Sequence, residues 1–260
     1  MRLLKIIGYL ALLTPIQLWG QLLKVVIVNG HDGTINSSAA QEITAICQNQ
    51  GYRVTYLSGN NATWDIVRPA IQNANILIYS GHGSNKGYDG TGGLCLNGNG
   101  GEIISSYTLE EEVQLAPNAL VIFKSVCGGA GSSASDNGDI GITEAVKRVS
   151  AYSRPFFNIN ATAYYADNYE GSTAKFLKKM FAGQTLQTAF IENSSFWNDV
   201  EYDATLSYNN TMRVGVASEY SPGSHTRTTT TNGYSVTQTI ENFKTYDVAY
   251  AGDPNFTLTP

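Results

Sequence analysis

Charge is scarce in this chain: Asp, Glu, Lys and Arg make up only 14% of its 260 residues. The 16 basic residues form no cluster, and the net charge is −5 at pH 7. Nucleic acid is excluded as the main partner, because binding a phosphate backbone needs a basic face. Histidine and cysteine are equally few, three of each. Their spacing matches no structural zinc site, so no metal ligand set and no cofactor is expected. Calcium activation stays open. The apolar run Ile6 to Leu13 falls well short of the roughly 20 residues that span a bilayer, and no later segment is apolar enough to cross one. No membrane span is expected. The low charge does not imply disorder, since 42% of residues are hydrophobic and can build a core. The expectation is a monomeric, loop-rich domain with a polar, uncharged surface.

Residues 1–20 stand apart. Arg2 and Lys5 precede the apolar run, and Pro15 and Gly20 follow it. This is the layout of a secretory signal peptide, which predicts a secreted or periplasmic mature protein. The alternative is an N-terminal strand or anchor helix. The cysteines are Cys47, Cys95 and Cys127. An odd count in an exported chain leaves at least one thiol without an internal partner. Cys47 lies on the apolar face of a predicted helix, where a small buried hydrophobe fits.

Leu22 to Val28 reads as a buried strand ending at His31-Asp32-Gly33. A helix follows over Ser37 to Gln50, capped by Ser37 or Ser38. Strand Tyr52 to Leu57, helix Asn61 to Asn73 and strand Ile76 to Tyr79 come next, with Pro69 kinking the helix or shifting its start. Tyr88 to Ile104 is Gly-rich and predicts a small hairpin carrying Cys95. Ser105 or Ser106 caps the next helix. Ala119 to Phe123 is a fourth strand, followed by a polar loop over Ala130 to Gly141. A helix over Ile142 to Tyr152, a fifth strand over Phe156 to Ile159 and helices over Tyr169 to Phe181 and Leu186 to Ile191 complete the pattern. Strands alternating with helices at this pace predict a mostly parallel sheet in a three-layer α/β/α sandwich. Residues 21–195 are assigned to this domain. Residues 196–260 are Thr-, Ser- and Tyr-rich, and predict a β/loop-rich C-terminal extension packed on it, with short strands at Met212 to Ala217 and Tyr234 to Thr239.

Reactive groups in an open parallel sheet gather at the carboxyl ends of its strands. Here the first strand ends at His31-Asp32, the third at Ser80-Gly81-His82-Gly83 and the fourth at Val126-Cys127-Gly128-Gly129. A cysteine nucleophile needs a base, and N–H donors for the oxyanion it creates. His82 would be that base. The N–H groups of Gly83 and Cys127 would form the oxyanion hole.

These motifs resemble those of the caspase, metacaspase, gingipain and legumain group of cysteine peptidases. Tyr79-Ser80-Gly81-His82-Gly83 is similar to the metacaspase histidine motif. Val126-Cys127-Gly128-Gly129 is similar to the caspase cysteine motif, which lies about 50 residues after its histidine. The resemblance spans about Leu22 to Ile191, and the terminal Gly252-Asp253-Pro254-Asn255-Phe256 resembles the end of gingipain-type catalytic domains. It implies a caspase-like sheet and endopeptidase activity on protein or peptide substrates, with Cys127 and His82 catalytic. It further implies an S1 residue on the loop after the first strand. Asp32 holds that place and implies cleavage after Arg or Lys; alternatively, Asp32 only closes a turn. Asp167 is a second substrate-binding candidate, or a helix N-cap. The chain departs from the family two residues before the cysteine: metacaspases carry Asp and caspases Gln, and this chain has Ser125. An inactive caspase-like binding or scaffold module is the alternative reading.

Overall fold

A computed structural model describes residues 23–83, 93–136, 138–168, 172–194, 199–206, 209–231 and 234–258. The predicted signal peptide therefore lies outside the described residues. Among the described residues, ten strands and six α-helices follow one another as β1 (Lys24–Asn29), α1 (Ser37–Gln48), β2 (Arg53–Ser58), α2 (Trp64–Ile71), β3 (Ile76–Ser80), β4 (Leu94–Leu96), β5 (Glu102–Ile104), α3 (Ser106–Glu112), β6 (Ala119–Lys124), α4 (Gly141–Asn158), β7 (Ala161–Asp167), α5 (Ser172–Phe181), α6 (Leu186–Asn193), β8 (Asp199–Leu206), β9 (Asn209–Thr231) and β10 (Tyr234–Gly252).

Eight strands form one sheet in the order β2-β1-β3-β6-β7-β10-β9-β8. The five strands from β2 to β7 run parallel. The β7–β10, β10–β9 and β9–β8 pairs are antiparallel. β1, β3 and β6 read as continuous apolar runs because helices cover both of their faces. Val26, Leu77, Val121 and Phe123 face α2, α3 and α4. Val25, Ile27, Ile78 and Ile122 face α1, α5 and α6. The result is a three-layer α/β/α sandwich. Among the described residues, no helix is long and apolar enough to cross a membrane.

The fifth strand departs from expectation. Phe156 and Phe157 belong to the end of α4, and the strand is Ala161–Asp167. Pro155 suggests a helix stop, but the buried stripe Ala145, Val149, Tyr152 and Phe156 keeps helical spacing straight through it. Burial of that stripe outweighs the one hydrogen bond that a proline removes. At α1 the cap is Asn36, whose side chain accepts from the Ala39 N–H at 2.9 Å, instead of either serine. Ser105 caps α3. The predicted hairpin around Cys95 is the antiparallel β4–β5 pair.

Candidate active site

Parallel pairing puts the ends of four strands on one edge. Asn29 of β1 lies beside Ser80 of β3, Ser80 beside Lys124 of β6, and Lys124 beside Asp167 of β7. The chain leaves these ends as three loops that carry His31 and Asp32, His82 and Gly83, and Cys127.

Backbone hydrogen bonds tie the first two loops together. The Gly30 N–H donates to the Ser80 carbonyl at 2.7 Å, and the His82 N–H to the His31 carbonyl at 3.1 Å. The Tyr79 hydroxyl lies beneath both. It accepts from the Cys95 N–H at 2.8 Å and shares its proton between the carbonyls of His82 and Cys95, at 3.0 and 3.1 Å. Burial keeps that phenol protonated far above its ordinary range. A neutral donor is what two carbonyl oxygens require.

Asp32 has φ +51°, in the left-handed region that Asp tolerates better than most residues. This turn places Asp32 Oδ2 3.0 Å from His82 Nε2. The His31 ring joins them, with Nε2 3.9 Å from the same oxygen and its centroid 5.5 Å from that of His82.

The cysteine loop comes against the histidine loop. A Cβ on Gly83 would lie 2.1 Å from the Cys127 carbonyl oxygen and 2.4 Å from the Tyr152 hydroxyl. The backbone at residue 83 is therefore in contact with the backbone of Cys127, and only glycine fits. Ser125, at φ +54°, and Gly128, at φ +81°, turn the chain sharply on either side of the cysteine. Cys127 itself is half-buried. Among the described residues, the N–H groups of Gly83 and Cys127 donate to no other protein group. The other two thiols are buried. Burial pushes the Cys47 thiol up to about 12. It also raises Cys95, with a further push from the charge of Asp32.

Gly83→Ala will lower any activity of this site at least tenfold, because the methyl group forces the two loops apart. Steady-state assays beside a thermal melt check this. A large fall in kcat with little change in Tm is expected.

Asp167 is fully buried and faces inward. Its Oδ1 lies 2.9 Å from Lys124 Nζ, and its Oδ2 accepts from the Thr173 hydroxyl at 2.8 Å. A cleft of about 550 Å³ opens beside Ser125, lined in part by Thr34, Asn36, Glu42, Lys124 and Asn168. Neither Asp32 nor Asp167 lines it. The strand-end pattern in the sequence points to His82, Gly83, Cys127 and Asp32, which the fold brings to one edge. It does not point to Tyr152, or to His31 as a neighbour of the Asp32–His82 pair. The signal for His31 is adjacency, since it precedes Asp32 on the same loop. Tyr152 has no local signal, because it reaches the site from the middle of α4.

No protein-family model and no curated protein matches this sequence.

Proposed function

We propose that this protein is a cysteine endopeptidase of caspase-like type, exported after removal of residues 1–20. The observation that carries the reading is the contact between two loops from adjacent strand ends. One bears a half-buried cysteine, and the other a histidine held by a carboxylate.

Asp32 accepts a hydrogen bond from the Nε2–H of His82, which leaves Nδ1 to work on the substrate. His82 Nδ1 takes the proton of the Cys127 thiol, and the thiolate Sγ attacks the scissile carbonyl carbon and forms a C–S bond. The oxygen takes the negative charge and meets the N–H groups of Gly83 and Cys127. His82 then hands a proton from Nδ1 to the leaving nitrogen as the C–N bond breaks. Water, deprotonated by His82, hydrolyses the thioester and restores the thiol. Asp32 stabilises the imidazolium that forms between these steps. A basic side chain at P1, entering the cleft beside Ser125, would meet Glu42, which pairs with Lys178 at 3.0 Å.

Iodoacetamide at pH 8 tests this. The raised thiols of Cys47 and Cys95 stay protonated and shielded, so one equivalent should react, at Cys127. Hydrolysis of a fluorogenic peptide library should decay with the rate constant of that labelling. An inactive scaffold module would show a slow Cys127 and no hydrolysis to lose.

A further inference from the structure

We infer that His31, Asp32 and His82 form a regulatory Zn²⁺ site whose occupation shuts the catalytic histidine. This inference rests on the peptidase reading, since it assigns a second role to the same histidine.

One ligand atom from each of the three side chains can be chosen so that all lie within 4.8 Å of one another. Two of the separations are 3.0 Å, from His82 Nε2 to Asp32 Oδ2, and 3.9 Å, from His31 Nε2 to the same oxygen. Ligands about 2.0 Å from a tetrahedral zinc stand roughly 3.3 Å apart. The present spacing brackets that value, so small rotations of exposed side chains would seat the ion. All three remain accessible, with His31 34%, His82 51% and Asp32 70% exposed. The backbone beneath is fixed: the His31 N–H donates to the Cys95 carbonyl at 2.9 Å, and the His31 carbonyl accepts from the His82 N–H. Two imidazoles and one carboxylate suit zinc, whereas calcium and magnesium prefer all-oxygen sets. Three protein ligands leave one position for water.

The consequence for catalysis follows from His82. Zinc on Nε2 occupies the lone pair that Asp32 now holds in place through a proton. A ring carrying a dication does not become imidazolium. It can neither take a proton at Nδ1 and keep it, nor pass one to a leaving amine without becoming imidazolate. His31 contributes only its side chain to the metal and has no part in the proposed peptide hydrolysis.

The test uses the full mature chain stripped of metal. Zn²⁺ is titrated by calorimetry into Cys127→Ala and into Cys127→Ala/His31→Ala, and Co²⁺ absorption reports the ligand geometry. One Zn²⁺ per Cys127→Ala chain is expected, weakened on the order of 10²-fold when His31 is replaced, since even a partner of a ligand costs up to that much. Single His31→Ala should hydrolyse peptide at the metal-free wild-type rate and resist Zn²⁺. Four results overturn the proposal: no binding to Cys127→Ala; binding indifferent to His31; a preference for Ca²⁺; and hydrolysis raised by Zn²⁺. Absence of peptide hydrolysis in every metal-free form would remove the peptidase reading alone, because the calorimetry still decides the site.

Discussion

On the proposed mechanism, Asp32→Asn lowers kcat for peptide hydrolysis about 10²- to 10³-fold and leaves KM within a factor of about two. The carboxylate sits 3.0 Å from His82 Nε2, where it fixes the ring and offsets the positive charge that appears when the imidazole takes a proton. An asparagine carbonyl keeps the hydrogen bond and loses the charge. The loss falls on the steps of turnover in which the ring is an imidazolium, and not on substrate binding. Asp32 is 70% exposed in the free protein, so screening holds the effect below that of a buried orienting acid. Substrate covering the site strengthens it again. A residue lining an S1 pocket would behave differently. Its replacement would raise KM for Arg and Lys substrates and change the preferred P1 residue. Steady-state constants for a matched Arg, Lys, Asn and Asp substrate series separate the two roles. A KM effect confined to basic substrates would return Asp32 to the pocket.

Sequence alone brought Asp32 to the correct edge of the sheet but not to its neighbour. Its place after a buried strand is a matter of pattern, and β1 is among the clearest patterns in the chain. Its direction depends on one backbone angle, the φ of +51°, and on meeting a histidine 50 positions away. Neither is written in local spacing. The same holds for His31, which becomes interesting only once two loops are seen side by side.

The other misreadings have local causes. β7 runs Ala-Thr-Ala-Tyr-Tyr-Ala-Asp, with small residues where a buried strand normally shows Val or Ile. Its large residues are tyrosines, and the core accepts them because partners exist. The Tyr164 hydroxyl donates to the Gly129 carbonyl at 2.9 Å, and the Tyr165 hydroxyl accepts from Asn193. A buried Tyr needs such a partner, which no sequence window displays. β9 was legible only in part, as Met212 to Ala217, because Pro222-Gly223 reads as a break. In the sheet those two residues lie opposite the single residue Asn242, where the register shifts. A bulge absorbs the proline that a regular ladder excludes. By contrast, β3 and β6 were legible because both of their faces are buried, and this is what made the ends bearing His82 and Cys127 legible too.

Asp167→Asn will destabilise the protein by about 3–5 kcal/mol, the usual cost of leaving one member of a buried ion pair alone. The carboxylate is 0% exposed and its Lys124 partner 11%, so water does not replace what is removed. For a domain of this size the loss corresponds to a fall in Tm on the order of 10 °C. Asp167 also sits where three elements meet. Its carbonyl accepts from the Ser125 N–H at 2.7 Å, and its side chain accepts from Thr173 of α5. The lysine it neutralises ends β6, three residues before Cys127. Loosening this corner should reach the Cys127 loop, so any activity of the proposed site should fall together with stability, unlike the effect of Asp32→Asn. Lys124→Met alone should cost a comparable amount by stranding the carboxylate. The double variant Lys124→Met/Asp167→Asn should recover most of the loss, because a neutral amide still accepts from Thr173 and no charge remains buried. Urea unfolding of the four proteins checks this cycle. Strictly additive losses would mean that the two groups stabilise the fold independently and that the 2.9 Å contact contributes nothing of its own.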